Sequence, residues 1–365
     1  MKNFTYFMPT KIIFGKNCIV DNSSVFKDMG KKAYIITGKH SAKLNGSEND
    51  VKTALEKEGI EYVIFDKIEE NPDIETIFAA AQKGISEKVD FVIGIGGGSP
   101  MDSAKAISCL ILNNEGEPKD ILFGEQKKHL PVIEVPTTAG TGSETTPFSI
   151  VTLHNEKTKS SIAQKIFAKY AFLDAKYMEN LPVGITNNTA IDALSHLIES
   201  YMSTNSNFLS EKIAEVGLNV FKDCIPYLIN RQYPFEIREK LLIASTIAGI
   251  LISQSGTSIP HFLGYQLTYD KGIPHGMANG ILMKAYLELF GENKKVDNIC
   301  NILGFNNLYE LGDFHNEVLD IKEKFTYDDI KAYSGRSFGN KAKLKTFPRN
   351  LSFNDILNIY SKSLL

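Results

Sequence analysis

Asp192 and His196 stand four residues apart in IDALSHLIESYMS (191–203), where Ala193, Leu194, Leu197, Ile198 and Tyr201 have helical spacing. Residues i and i+4 project from one helix face, so a carboxylate and an imidazole meet beside the apolar stripe. Such pairs are also common on solvated faces, so more ligand types are needed to read this one as half of a metal site. His261 and His275, each preceded by a proline, supply them. One aspartate and three histidines make an N3O set suited to Fe(II) or Zn(II), with room for a ligand from substrate. The other histidines, His40, His129, His154 and His315, lie among polar residues and read as surface positions.

A second chemistry is written in IGIGGGSPMDSAK (93–105). Gly96, Gly97 and Gly98 clear side chains from where backbone amides approach an anion. Ser99 is expected as N-cap, Pro100 at the first helical position and Asp102 in a capping box. The helix N-terminus then offers free N–H groups and positive dipole to a phosphate. A glycine-rich turn without a ligand is the plain alternative. Neither the G-x-G-x-x-G fingerprint nor a P-loop is present, since Ser occupies position 99 and no Gly-Lys-Ser/Thr follows. A polar loop, PTTAGTGSETTPF (136–148), leaves the next strand at the same end of the sheet. Its hydroxyls, Thr137, Thr138, Thr141, Ser143 and Thr146, suit a ribose or an amide, and beside the glycines they point to a dinucleotide.

These groups need elements to hold them. KAYIITG (32–38), EYVIFDKI (61–68), FVIGIGGG (91–98) and LPVIEVPTT (130–138) read as buried strands alternating with helices over 71–88 and 101–113. That order predicts an α/β domain with a parallel, doubly wound sheet. SIVTLHNEKTKSSI (149–162) reads as a hairpin turning at Asn155–Lys157. Beyond about residue 178 the pattern becomes purely helical, as in 208–229, 236–253 and 276–290. The expected division is 1–177, an α/β dinucleotide-binding domain, and 178–365, an all-helical metal-binding domain. A cleft between two such halves is a natural active site.

The 365 residues are 43% hydrophobic and 23% charged, enough for full cores. A net charge of −3 gives no electrostatic case for nucleic acid or an anionic membrane surface. Four scattered cysteines read as buried free thiols, and no signal peptide or apolar run near 18 residues is present, so a cytoplasmic protein is expected.

GGGSPMDSAKAI (96–107), PTTAGTGSETTPFSI (136–150), IDALSHLIESYMS (191–203) and HFLGYQLTYDKGIPHGMANGIL (261–282) together resemble the iron-containing (group III) alcohol dehydrogenase family, over essentially the whole chain. The resemblance implies an N-terminal dinucleotide-binding domain and a C-terminal helical domain in the dehydroquinate-synthase-like architecture. It implies Fe(II), with Zn(II) as an alternative, held by Asp192, His196, His261 and His275. Gly97, Gly98, Ser99 and Asp102 would contact pyrophosphate and ribose. Thr137, Thr138, Thr141, Thr146 and Phe148 would hold the nicotinamide half, and Lys159 would reach the cofactor. Two departures stand out: Ala190-Ile191 precedes the aspartate where many members have Gly, and the Leu263-Gly264 to His275 spacing is longer than in lactaldehyde reductases. The latter resembles the butanol-type branch, with small alcohols and aldehydes as substrates. A homodimer through TKIIFG (10–15) is implied.

Cofactor choice is read from the residues themselves. An acidic residue after an early strand would bond the ribose 2′-OH and repel a 2′-phosphate. Here Gly38 is followed by Lys39, His40 and Ser41, which predicts NADP(H) over NAD(H). A lyase like dehydroquinate synthase shares the architecture, but it needs a Lys/Arg clamp, and 182–290 holds only Arg231 and Arg238. A non-catalytic NADP-binding protein fits poorly with four intact ligand positions.

Overall fold

The computed structural model describes residues 3–154 and 158–365; the expected hairpin turn at 155–157 lies outside them. The chain forms two compact units that divide between Leu181 and Pro182. Residues 3–7 group with the helical unit, because the Phe7 N–H donates to Gln254 Oε1 and the Phe7 carbonyl accepts from Gln254 Nε2.

Among the described residues the first unit has eight strands: β1 (Lys11–Phe14), β2 (Lys32–Thr37), β3 (Glu61–Phe65), β4 (Phe91–Gly96), β5 (Val132–Pro136), β6 (Ile150–Leu153), β7 (Thr158–Ser161) and β8 (Tyr170–Leu173). Six run parallel in the order β1-β8-β5-β4-β2-β3. Strands β4 and β5 are buried along their whole length, which fits a parallel sheet covered on both faces. Alternate side chains serve opposite cores. Tyr34, Ile36, Val92 and Val132 pack under helices Ile74–Glu87 and Gly98–Leu112, while Ala33, Ile35, Ile93 and Ile133 pack under helix Ser47–Lys57. The doubly wound α/β expectation therefore holds. Strand β8, missing from the strand pattern, is a run of four that periodicity cannot separate from helix. Strands β6 and β7 form the expected antiparallel hairpin.

Among its described residues the second unit contains helices and no strand. Its hub is helix Val183–Met202, buried at every position from Ala190 to Met202. An element buried on every face must be enclosed, and helices Phe208–Lys222, Phe235–Ser255 and His275–Glu288 enclose it. No single helix among the described residues is long and apolar enough to cross a membrane.

His315 departs from its expected surface position. It is 2% exposed on helix Leu308–Val318, and neither ring nitrogen has a hydrogen-bond partner. Leu311, Phe314, His315 and Val318 are all buried, at i, i+3, i+4 and i+7, so the residue belongs to the helix's apolar stripe. Burial pushes its pKa from the ordinary 6.5 down to about 4. A depressed histidine binds its proton more readily in the unfolded chain, so stability is lost as pH falls from 6.5 toward 4, by roughly 3 kcal/mol at most. His315→Leu is expected to be more stable, by about 1–3 kcal/mol, since it removes unpaired buried polar atoms. Urea midpoints at pH 5 and pH 7 check this: the variant should lose less on acidification than the parent, and parallel losses would refute the assignment.

Candidate metal and cofactor sites

In the helical unit, Asp192, His196 and Glu199 lie at i, i+4 and i+7 on one face of helix Val183–Met202. His261 lies in the first turn of helix Ile259–Lys271, and His275 opens helix His275–Glu288. Gly276 lets that helix start against the hub. A Cβ there would lie 1.9 Å from the Asn188 carbonyl oxygen and 3.0 Å from Asp192 Cβ. Only glycine permits this approach, and the approach brings His275 to the aspartate.

Asp192 Oδ1 is 3.3 Å from His261 Nε2 and 3.9 Å from His275 Nε2. One donor atom from each of these three residues falls within 4.8 Å of the others. His196 is not in that set of three; its ring stacks on His261 at 4.2 Å between centroids. Asp192, His196 and His261 are buried, whereas the His275 side chain is 30% exposed, so the group opens on that side. Tyr265, one turn after His261, stacks on His275 at 5.5 Å.

Glu199 and Asn279 escaped the sequence reading. Glu199 is fully buried, and its Oε1 accepts from His261 Nδ1 at 2.5 Å. Its Oε2 accepts from the Ser258 N–H, also at 2.5 Å, at the cap of the helix that carries His261. Asn279 Nδ2 donates to Asp192 Oδ1 at 3.0 Å. A carboxylate seven residues beyond Asp192 was the available signal for Glu199. With Nδ1 committed to Glu199, Nε2 is the His261 nitrogen left for a cation, which would take the place of a proton there; it is buried, makes no hydrogen bond and faces the aspartate. That is the arrangement of a metal-ligating histidine with its outer carboxylate. The electrostatics agree. Burial alone would raise the Asp192 pKa, yet the histidine charges hold it far below the usual carboxylate range. Burial alone would lower His261, yet Glu199 and Asp192 push it up to about 10. The pocket favours positive charge, and the donor atoms of Asp192, His261 and His275 lie close enough together to fit a divalent cation.

In the α/β unit, helix Gly98–Leu112 starts two residues earlier than expected, with Gly97 and not Ser99 at the cap. Gly97, Gly98 and Ser99 are half-buried at its N-terminus. A Cβ on Gly98 would sit 2.9 Å from Thr141 Cγ2, so the polar loop presses directly on the cradle. Asp102 makes no capping box. Its carboxylate accepts from Ser143 Oγ at 2.5 Å and from the Ile150 N–H at 2.8 Å, and it is 9% exposed. Thr137, Ser143 and Thr146 are buried, while Thr138, Thr141 and Phe148 stay partly open.

Lys159 reaches Asn71 Oδ1 at 2.6 Å. Asn71 adopts a left-handed backbone (φ 58°), and its N–H donates to Ser99 Oγ at 3.2 Å. Asn71 thus ties the hairpin lysine to the glycine cradle, a role with no signature in its own segment. Gly38 follows β2, which pairs in parallel with β4, so Gly38, Lys39 and Ser41 lie at the same carboxyl end of the sheet as the cradle; Lys39 and Ser41 are exposed.

Residues 9–175 match the family model described as iron-containing alcohol dehydrogenase, and residues 186–364 match the C-terminal model of the Fe-containing alcohol dehydrogenase family. A crystal structure of an iron-containing alcohol dehydrogenase from Thermotoga maritima superposes with a TM-score of 0.91 at 36% identity, covering 99% of each chain. The NAD-dependent methanol dehydrogenase of Bacillus methanolicus is 29% identical over 84% of this chain and 81% of its own. The NADPH-dependent butanol dehydrogenase of Clostridium saccharobutylicum is 28% identical over 83% and 77%.

Proposed function

The chain belongs to the iron-containing alcohol dehydrogenase family, and on that premise we propose that it interconverts small primary alcohols and aldehydes with NADP(H) as hydride carrier. The observation that carries this reading is the gathering of Asp192, His261 and His275 donor atoms, with His261 Nε2 buried and unbonded. Asp192, His196, His261 and His275 would hold Fe(II), or Zn(II), which when bound supplies a Lewis acid for the substrate oxygen. Glu199 fixes the His261 ring and Asn279 holds the Asp192 carboxylate. When bound, the reduced nicotinamide would supply the hydride for the carbonyl carbon, with a proton taken up at the oxygen to give the alcohol and the oxidised cofactor. Thr138, Thr141 and Phe148 are the partly open loop groups for the nicotinamide half, with the Gly97–Ser99 amides for the pyrophosphate.

NADP(H) is favoured over NAD(H) by the Gly38-Lys39-His40-Ser41 turn, which carries no carboxylate. Asp66, just past the end of the neighbouring β3, is paired with Lys43 at 2.5 Å. A homodimer joined along β1 belongs to the same proposal. That strand lies at the sheet edge with Ile12 and Phe14 exposed, and a sedimentation mass of one chain would exclude it.

The test is oxidation of NADPH by butanal with protein loaded anaerobically with Fe(II), beside a chelator-stripped sample and a parallel NADH series. Turnover is expected only with metal, with kcat/KM several-fold higher for NADPH. Equal values for the two cofactors would remove the NADP preference. Absence of turnover with a range of small aldehydes, despite bound metal, would overturn the reading itself.

A further inference from the structure

Lys105 lies on helix Gly98–Leu112, one turn beyond Asp102, and is completely buried. A lysine ammonium is the costliest common cation to bury, so its surroundings must compensate it. They do so fully. Nζ donates to the Ser143 carbonyl at 2.7 Å, to Ser143 Oγ at 2.8 Å and to the Phe148 carbonyl at 2.9 Å, which uses all three protons. Glu134 Oε1 at 3.7 Å and Asp102 Oδ1 at 3.8 Å balance the charge without taking a short bond. Ser143 Oγ passes the contact on, donating to Asp102, which also accepts from the Ile150 N–H. The Asp102 carbonyl accepts from Ser149 Oγ. One lysine and one aspartate on the cradle helix therefore hold positions 143, 148, 149 and 150 of the polar loop and its exit.

We propose that Lys105 is a positioning residue for the dinucleotide: it clamps the 136–148 loop to the phosphate-binding helix and so sets where Thr138, Thr141 and Phe148 meet the nicotinamide half. Lys105 does not touch the cofactor, because its protons are spent inside the protein. Nor is it a nucleophile, for the same reason. Glu134 is the nearest carboxyl to the ammonium, at 3.7 Å. It sits mid-strand on β5, buried, with neither oxygen hydrogen-bonded. Asp102, which the family resemblance assigns to cofactor contact, has both carboxylate oxygens occupied within this clamp and acts as its second jaw. The inference rests on the dinucleotide reading of the cradle.

Lys105→Met keeps the side chain's length and removes the three bonds. Direct fluorescence titration with NADPH, which needs no turnover, is the primary readout, followed by steady-state kinetics. The variant should bind NADPH at least tenfold more weakly, with cofactor KM raised in parallel. Its kcat at saturating cofactor and its metal content should stay within about threefold of the parent. That split separates positioning from a stability role, which would lower the melting temperature and the active fraction but leave Kd unchanged. An unchanged Kd in Lys105→Met overturns the proposal. Should that variant not fold, Ser143→Ala removes one bond and the relay to Asp102 while keeping the buried charge; a smaller rise in Kd is expected, and none would refute the clamp. If the parent protein itself fails to bind NADPH or NADH, the functional reading falls and the clamp with it. Normal parental binding with an unaffected variant overturns the clamp alone.

Discussion

His275→Ala should cost this enzyme its metal and its turnover while leaving its fold in place. The residue supplies one of the three donor atoms gathered within 4.8 Å, and its side chain is 30% exposed, so truncation leaves little buried cavity. Helix His275–Glu288 is held by its buried face, including Leu282, Met283 and Tyr286, and by the close seat of Gly276, none of which the substitution touches. Losing one ligand removes Lewis-acid stabilisation worth several kcal/mol, which corresponds to a drop in kcat/KM of about 10^3 or more. Metal content by elemental analysis should fall with it. Helical circular dichroism and NADPH binding should persist, because the dinucleotide cradle is built from residues of the other unit. Full activity with unchanged metal stoichiometry would show that the site is assigned to the wrong residues.

Glu199→Gln should weaken metal binding by about 10–100-fold, the usual cost of losing an outer carboxylate behind a ligating histidine. The geometry makes the isosteric change severe. Both carboxylate oxygens accept, one from His261 Nδ1 and one from the Ser258 N–H. A glutamine has one accepting oxygen, and its NH2 must then face a donor. Either the imidazole loses the group that orients it or the helix cap loses its acceptor, in a site that is buried on the Glu199 side. An unpaired buried donor costs about 1–3 kcal/mol, so the melting temperature should fall as well. Chelator competition with Zn(II) or Co(II) measures the affinity apart from turnover. An unchanged metal Kd would mean that His261 is oriented by packing alone.

How much of this was legible beforehand differs from residue to residue. The Asp192–His196 pair, the glycine cradle and the switch from strand-and-helix to helix alone are short-range patterns, and each appears where its spacing placed it. His315 was misread although its stripe was present, because its polar neighbours Asp313 and Asn316 were weighed above the 311, 314, 315, 318 period. The start of the cradle helix was misjudged because Ser and Asp at capping spacing imply a capping box only if the carboxylate has no better partner. Ser143 and Ile150, some 40 residues on, proved better.

The sequence by itself determined the elements, their order, the residue types available for metal and phosphate, and the family, because periodicity, glycine placement and ligand chemistry act within a few residues. Tertiary structure alone decided which polar groups serve the ligands and which serve the protein. Glu199 meets His261 across 62 positions of chain, Lys159 meets Asn71 across 88, and Lys105 meets Ser143 across 38. No local rule pairs such residues. A buried charge accepts whatever compensating partner packing delivers, and that partner exists only once the helices and sheet have come together.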